Sequence, residues 1–406
     1  MQVAVLGGGL QGCCTALALA ERGIAVVLID RNAGLLSRTA VANEGKIHLG
    51  YMYAADTSFA TARMMLKGAL TFAPFMSRHL GIAPNRLSLS RPATYVVHRD
   101  SQHDADWIGA YLGRTHQLIE DAARGRPAAY FGIDLRQAPH RHSQAELGAG
   151  FDPGQALAAF DTVEVAIDPE ALAAMLLTRL AADPRIEIRL ETEVVGGRIE
   201  EDGVVVRSRS GGGTGEERFD HAVNALWDGR IALDAAMGQR PRRPWLHRLK
   251  YGVSFRIPQD QQPPPSATFV SGPFGEVVSY RGGRTYLTWY PACLREITDV
   301  ERPPHWDIHP ADPLKSEIAE RTLAALGAIV PALGAIGLSE LLDLKVKGGP
   351  IVAWGATDIT DPASELHRRF EIGVTSVGRY HSVDPGKLTM APFFADVCAD
   401  RIAPRA

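Results

Sequence analysis

Lysine, cysteine and any excess of charge are what this 406-residue chain has little of. Its formal net charge is −3 and it contains no basic block, so nothing in it favours nucleic acid or an anionic membrane surface as a partner. Four cysteines (Cys13, Cys14, Cys293 and Cys398) are too few and too scattered for a disulfide framework or a zinc site. Cys13 and Cys14 are adjacent in a helical pattern and read as core packing. No segment reaches the roughly 18 apolar residues of a membrane span. Met1-Gln2 lead straight into Val3-Ala4-Val5-Leu6, with no basic region and no cleavage site. The expectation is a cytoplasmic protein without stable membrane insertion. Only seven lysines stand beside 36 arginines, which reads as genomic base composition and makes each lysine worth locating.

What is present is ordinary globular composition, 46% hydrophobic and 22% charged, at a length that predicts two domains. Val3–Leu6 reads as a buried strand, Leu10–Arg22 as a helix stopped by Gly23, and Ala25–Asp30 as a second buried strand, a β-α-β run with parallel pairing. A long helix is expected from Asp56 as N-cap, broken or kinked at Pro74. Asp168-Pro169 caps a helix over Glu170–Ala182. Strands are expected at Ile186–Leu190, Val194–Ile199 and Val204–Ser208, with Arg218–Ala225 completing a meander. Leu249–Ile257, Ala267–Tyr280 and Thr285–Tyr290 suggest a second, antiparallel sheet. The chain closes on a strand at Phe370–Val377, a glycine turn and a helix over Leu388–Ile402.

Gly7-Gly8-Gly9-Leu10-Gln11-Gly12 satisfies G-x-G-x-x-G between that first strand and helix. Gly7 permits the tight turn, Gly9 lets backbone amides meet a diphosphate, and Gly12 allows the helix to lie close on the sheet. Asp30, at the end of the second strand, can accept ribose hydroxyls and would repel a 2′-phosphate. These features predict a dinucleotide site. The second glycine cluster, Gly211–Gly215, opens no helix and reads as a hairpin turn. His140 and His142 have an H-x-H spacing but no accompanying carboxylate in the loop, and no metal is assigned.

Beyond Asp30 the chain runs into Ser37-Arg38-Thr39-Ala40-Val41-Ala42-Asn43-Glu44-Gly45-Lys46-Ile47-His48-Leu49-Gly50, not into further β-α units. Here it resembles the FAD-dependent D-amino-acid oxidase/glycine oxidase superfamily (DAO family). Within it, Ile47–Tyr53 and the following helix resemble the L-2-hydroxyglutarate oxidase branch. The resemblance returns at Ile167-Asp168-Pro169, at Glu193–Ile199, at Val223-Asn224-Ala225-Leu226-Trp227 and at Gly378–Thr389. Leu226-Trp227 departs from the family's usual Ala-Gly, and Gly378–Thr389 departs from the hydroxy-acid branch.

The resemblance implies an α/β fold: a Rossmann-type FAD-binding domain with an interleaved α+β substrate domain on a mixed or antiparallel sheet. The expected division is 1–81, 161–245 and 346–406 for FAD, with 82–160 and 246–345 for substrate. It implies FAD contacts at Gly7, Gly9, Leu10, Gln11, Gly12, Asp30, Arg31, Ser37, Thr39, Asn43, Glu44, Gly45 and Lys46. Further contacts are implied at Val194, Asn224, Ala225, Trp227, Gly386, Lys387, Leu388 and Thr389. A glycine turn opening a terminal helix would aim amides at the reduced flavin, with Lys387 adding charge.

Alternation places Lys46 and His48 on one side of an extended segment, where they face flavin or substrate or else serve as a diphosphate-neutralising lysine and a structural histidine. Tyr53, His48 and Arg379 are the expected substrate contacts, Arg379 as a bidentate carboxylate clamp or a structural ion pair, with His381 close by. The expected reaction moves a hydride from a CH–NH or CH–OH group of a small polar substrate to FAD, and thence to oxygen or another acceptor. Two other readings stand beside it: a flavin monooxygenase or halogenase, which would show a Gly-Asp pair before a late helix, and a non-catalytic dinucleotide-binding protein.

Overall fold

A computed structural model describes residues 1–404 apart from 127, 259–260 and 273. The first strand, Gln2–Leu6, stops at the glycines, and helix Leu10–Glu21 starts at once. That helix is buried on nearly every side, between the sheet and the C-terminal helix Ala391–Ile402. Its small residues (Gly12, Cys13, Cys14, Ala16, Ala18) are what allow so close a sandwich. All four cysteines are buried free thiols.

A six-stranded sheet runs in the order Gly373–Val377, Tyr380–Asp384, His221–Asn224, Gln2–Leu6, Ala25–Ile29, Ile186–Arg189. All neighbours are parallel except the edge strand Gly373–Val377. Leu6, Ile29, Asn224 and Asp384 therefore end at the same edge, and the loops that follow them lie side by side. Ligands of open parallel sheets bind at such an edge.

The second sheet has nine strands and is mixed. Its path is Leu294–Thr298, Trp245–Arg256, Arg284–Trp289, Gly275–Ser279, Ala267–Val270, Thr94–His98, Ala156–Asp161, His140–Arg141. Ala267–Val270 pairs in parallel with Thr94–His98, while its other pairings are antiparallel. Leu342–Trp354 lies along Trp245–Arg256 for almost its whole length, so the expected boundaries at 245/246 and 345/346 cut through paired strands. A small sheet of Glu193–Ile199, Val204–Ser210 and Gly213–Phe219 contains the hairpin at Gly211–Gly215.

Three expectations need correcting. Arg218–Ala225 is not one strand: Phe219 ends the small sheet and His221–Asn224 joins the parallel one. Leu342–Trp354 runs as one strand through Gly348-Gly349-Pro350, residues that disfavour strands locally; long antiparallel pairing with Trp245–Arg256 holds it. Tyr380–Asp384 is a strand, not part of a loop. Helix Ala60–Leu80 runs through Pro74 without a break; Pro74 is exposed, while Phe72, Ala73, Phe75 and Met76 are buried and hold the helix to the core. Asp56 still accepts the amides of Ser58 and Thr61 before that helix, although the helix begins at Ala60. Among the described residues no helix is long and apolar enough to cross a membrane.

Candidate cofactor and active site

Gly7 leaves the first strand at φ +107, and a Cβ there would stand 2.6 Å from the Ala225 carbonyl oxygen. Gly12, in the first turn of the helix, faces Gly7: its Cβ would lie 1.8 Å from the Gly7 oxygen. The helix thus sits nearer the strand end than any side chain would allow. Gly9, the N-cap, has nothing within 4 Å of its Cβ position, and no side-chain cap or acidic residue occupies the first turn. Free amides and the positive end of the helix therefore face a cavity of about 400 Å³, an arrangement that fits a diphosphate. Leu10 and Gln11 line it, and Gln11 Oε1 is buried without a hydrogen-bond partner among the described residues.

Asp30 also lines the cavity. Its Oδ2 accepts the Gly8 amide at 2.6 Å and its Oδ1 the Asn32 amide at 2.8 Å, which fixes the carboxylate and leaves lone pairs for ribose hydroxyls. Arg31, Val194, Ser37, Thr39 and Asn43 line the cavity as well. Asn43 braces its own loop, donating to the Thr39 carbonyl at 2.7 Å and accepting the Gly45 amide at 2.7 Å. Gly45 lies behind the wall, pressed against the Ile167 carbonyl. Ala225 and Trp227 also line the cavity. Trp227 has φ +55, a backbone geometry that suits glycine, and is held there by its Nε1–H donating to the Pro350 carbonyl at 2.7 Å. Asn224 does not reach the cavity; it shapes the turn by accepting the Leu226 amide and donating toward Arg230, Asp234 and Tyr380.

Glu44, Lys46, His48, Gly386, Lys387 and Leu388 form the far end. Lys46 and His48 face the cavity as alternation predicts, while Ile47 is fully buried behind them. Lys46 Nζ is held by Glu276 and Thr268, so its charge is locally compensated. Thr389 lies behind the wall and ties the two termini together: its hydroxyl accepts the His48 amide and donates to the Lys46 carbonyl, both at 3.0 Å. Burial pushes His48 below its ordinary pKa, with Lys387 and Lys46 acting in the same sense against Glu164, so the ring is neutral at pH 7. Burial and the neighbouring Arg369 bring Lys387 down to about 8. Burial alone would raise Glu44, but Lys250 and Lys387 outweigh it and hold the carboxyl at about 2.

Residues 2–379 match the profile of the family described as FAD dependent oxidoreductase (DAO). The chain belongs to that family. Its fold is shared with glycine oxidase from Geobacillus kaustophilus, TM-score 0.68 at 16% identity over 100% of this chain and 95% of that one. Iminodiacetate oxidase from Chelativorans sp. BNC1 gives TM-score 0.67 at 16% identity over 100% and 96%. D-amino acid dehydrogenase 1 of Mesorhizobium japonicum is 49% identical over 51 residues, a match that spans 13% of this chain and 12% of that relative. FAD is thus the cofactor that the glycine cradle, the uncapped helix and Asp30 fit.

The architecture of this DAO-family protein corrects three of the expected substrate contacts. Arg379 and His381 do not line the cavity. Because Tyr380–Asp384 is a parallel strand, the FAD end of that segment is Asp384–Thr389, and Arg379 lies at the opposite edge of the sheet, where its carbonyl accepts the Ala222 amide. His381 is buried between His221, at 3.1 Å, and Ser376, at 2.8 Å. Arg379→Ala is therefore expected to leave KM for a carboxylate substrate unchanged; a steep rise in initial-rate measurements would refute this placement. Tyr53 also stays behind the wall, edge-on to His48 with ring centres 5.7 Å apart. The two spaced histidines each have a carboxylate after all, His140 with Glu146 and His142 with Asp161.

Arg248, Lys250 and Arg369 line the cavity and escaped the sequence reading; Tyr290, whose segment Thr285–Pro291 reads from sequence as core or pocket lining, lines it as well. Arg248 and Lys250 flank the apolar Leu249 in a largely buried strand, and Lys250 is one of the scarce lysines; both signals were available. Arg369 sits in an irregular segment and carries no local signal. Arg248 is paired with Asp358 at 2.8 Å, and Lys250 stands 5.0 Å above the Tyr290 ring centre.

Proposed function

We propose that this FAD-dependent oxidoreductase oxidises an amino acid or a related amine bearing a carboxylate. One observation carries the reading: Lys250, Arg369 and Lys387 line one end of the cavity, buried or half-buried, and none of their side chains has an ion pair or hydrogen bond among the described residues. Among the described residues only Glu44 opposes them with a carboxylate that has no ion pair, so a carboxylate entering this end meets a surplus of positive charge in a partly dehydrated site. The names of glycine oxidase, iminodiacetate oxidase and D-amino acid dehydrogenase 1 point to amines that carry such a group.

FAD, when bound, supplies the acceptor for a hydride from the substrate C–H. The chain's own side chains do the rest. Arg369 and Lys250 hold and orient the substrate carboxylate, Arg369 with a fork suited to bidentate contact. Lys387 supplies charge at the cofactor end. The neutral His48 receives the proton that leaves the substrate nitrogen.

Anaerobic bleaching of the FAD-loaded protein by a panel of amino acids, 2-hydroxy acids and amino sugars tests this. Bleaching by amino acids supports the proposal. Bleaching by 2-hydroxy acids alone overturns the amine part, and bleaching by uncharged amino sugars alone overturns the carboxylate part. Mixing the reduced protein with oxygen and with dyes then separates oxidase from dehydrogenase.

A pH dependence follows from Lys387. It is cationic below about pH 8 and neutral above, so affinity for acetate, followed through the flavin absorbance, is expected to fall as pH rises through that value. Lys387→Arg stays charged and should keep its affinity to higher pH. A flat acetate affinity for the parent protein between neutrality and about pH 9 would count against the role of Lys387.

A further inference from the structure

Glu164 lies in the stretch between strand Ala156–Asp161 and helix Pro169–Ala181, and none of it reaches solvent. A carboxylate so placed needs donors, and they are present. The Leu49 amide donates to Oε2 at 2.6 Å and Tyr95 Oη donates to Oε1 at 2.5 Å. His48 Nδ1 stands 3.6 Å from Oε1. That nitrogen is itself buried and has no hydrogen-bond partner among the described residues, so the carboxylate is the anion it faces. The imidazole is held from its other sides as well. Its own amide is tied to Thr389 and its ring rests edge-on against Tyr53.

The charged and titratable groups around the ring are Lys46 and Glu44 on its own segment, Lys387 from the C-terminal turn, Glu164, Tyr53 and Tyr95. Lys46 is already occupied by Glu276, and the phenols are pushed far above neutrality by burial. Among the described residues Glu164 is therefore the one anion directed at Nδ1.

We propose that Glu164 is a positioning residue that keeps the His48 proton on Nδ1 and thereby leaves the Nε2 lone pair facing the cavity. An N–H pointed at a buried carboxylate is attracted to it, whereas a lone pair pointed at the same carboxylate is repelled, and the donors that are present, the Leu49 amide and Tyr95 hydroxyl, bond to the carboxylate and not to Nδ1. The proton transfer that this arrangement allows breaks one substrate N–H bond and forms Nε2–H. No electrons change hands in it, and the imidazolium that results is paired with Glu164. That use of the tautomer rests on the function proposed above; the tautomer itself does not.

The test is the long-range proton–nitrogen NMR spectrum of protein labelled with 15N-histidine, recorded with FAD bound and without it. The signal lost in His48→Gln assigns the ring. A protonated Nδ1 and an unprotonated Nε2 are expected in the parent protein; the reverse tautomer overturns the proposal. Glu164→Gln is expected to lose the preference, and a folded Glu164→Gln protein that keeps Nδ1 protonated also overturns it. Tyr95→Phe removes a donor but leaves the carboxylate, so it should retain the parental tautomer and decides the matter if Glu164→Gln does not fold. Once a substrate is known, the acidic limb of kcat/KM is expected to move to lower pH in Glu164→Gln by about one unit or more, since an anion that favours imidazolium has been removed. A negative substrate panel would sink the proposed function and leave the NMR result standing.

Discussion

Gly12→Ala is expected to yield a colourless, destabilised protein. The added Cβ would lie 1.8 Å from the Gly7 oxygen, 3.0 Å from the Gly7 carbonyl carbon and 3.5 Å from Val5 Cγ1, so the two nearest obstacles are backbone. Gly7 has no room to yield, because its own Cβ position already falls 2.6 Å from the Ala225 oxygen. The helix has no room to retreat either, since Ala391–Ile402 packs against it from the other side. Relief requires the helix to lift from the sheet, which costs about 1–3 kcal/mol or more in a close-packed core and carries the first-turn amides away from the diphosphate. Gly9→Ala is the informative contrast. Nothing lies within 4 Å of its Cβ position, and its φ of −74 suits alanine, so the apoprotein should fold normally while the methyl group intrudes on the diphosphate. Flavin content per chain and apoprotein melting temperature distinguish the two. Gly12→Ala should lose both and Gly9→Ala only the flavin. Full flavin occupancy in Gly12→Ala would refute the close-approach argument.

Arg369→Ala is expected to raise KM for a carboxylate substrate about 10- to 100-fold with little change in kcat, the size of one or two charge-assisted hydrogen bonds. The stability of the substrate-free protein supplies the decisive contrast. Burial and the neighbouring Arg248 disfavour charge on Arg369; Tyr53, Tyr290 and Asp384 act the other way without outweighing them, and the guanidinium has no ion pair among the described residues. Removing an uncompensated half-buried cation should therefore leave the melting temperature unchanged or higher. A residue held for structure would show the opposite, a lower melting temperature with KM intact, and that result would assign Arg369 to the fold. Arg369→Lys keeps the charge but not the fork, so an intermediate KM is expected.

How much of this was legible beforehand follows from the range over which each feature is set. The turn at Gly7, the packing of Gly12 and the place of Asp30 involve residues joined by one strand, one helix and one more strand, and their spacing states the geometry. The alternation of Lys46, Ile47 and His48 is likewise local to an extended segment. Trp227 marks where local rules were overridden: its left-handed backbone would be read as glycine, and a hydrogen bond to Pro350 holds the tryptophan there. Leu342–Trp354 was illegible because Gly348-Gly349-Pro350 mimics a break, and only pairing with Trp245–Arg256 makes it a strand.

The sequence by itself determined a dinucleotide site: glycines, helix start and acidic strand end suffice, because a diphosphate is recognised by backbone over a few residues, and the family resemblance of the later segments implied that the dinucleotide is FAD. It also pointed to lysines by their rarity, and three of the seven, Lys46, Lys250 and Lys387, line the cavity. Only the tertiary structure decided which cations stand at the reacting end. Arg379 and Arg369 are ten residues apart and both were open to a carboxylate role on residue type alone. The direction of strand Tyr380–Asp384 sends one to the far edge of the sheet, and the other meets Lys250 through chain packing more than a hundred residues removed. Convergence over such distances depends on strand order and direction, which no local pattern encodes.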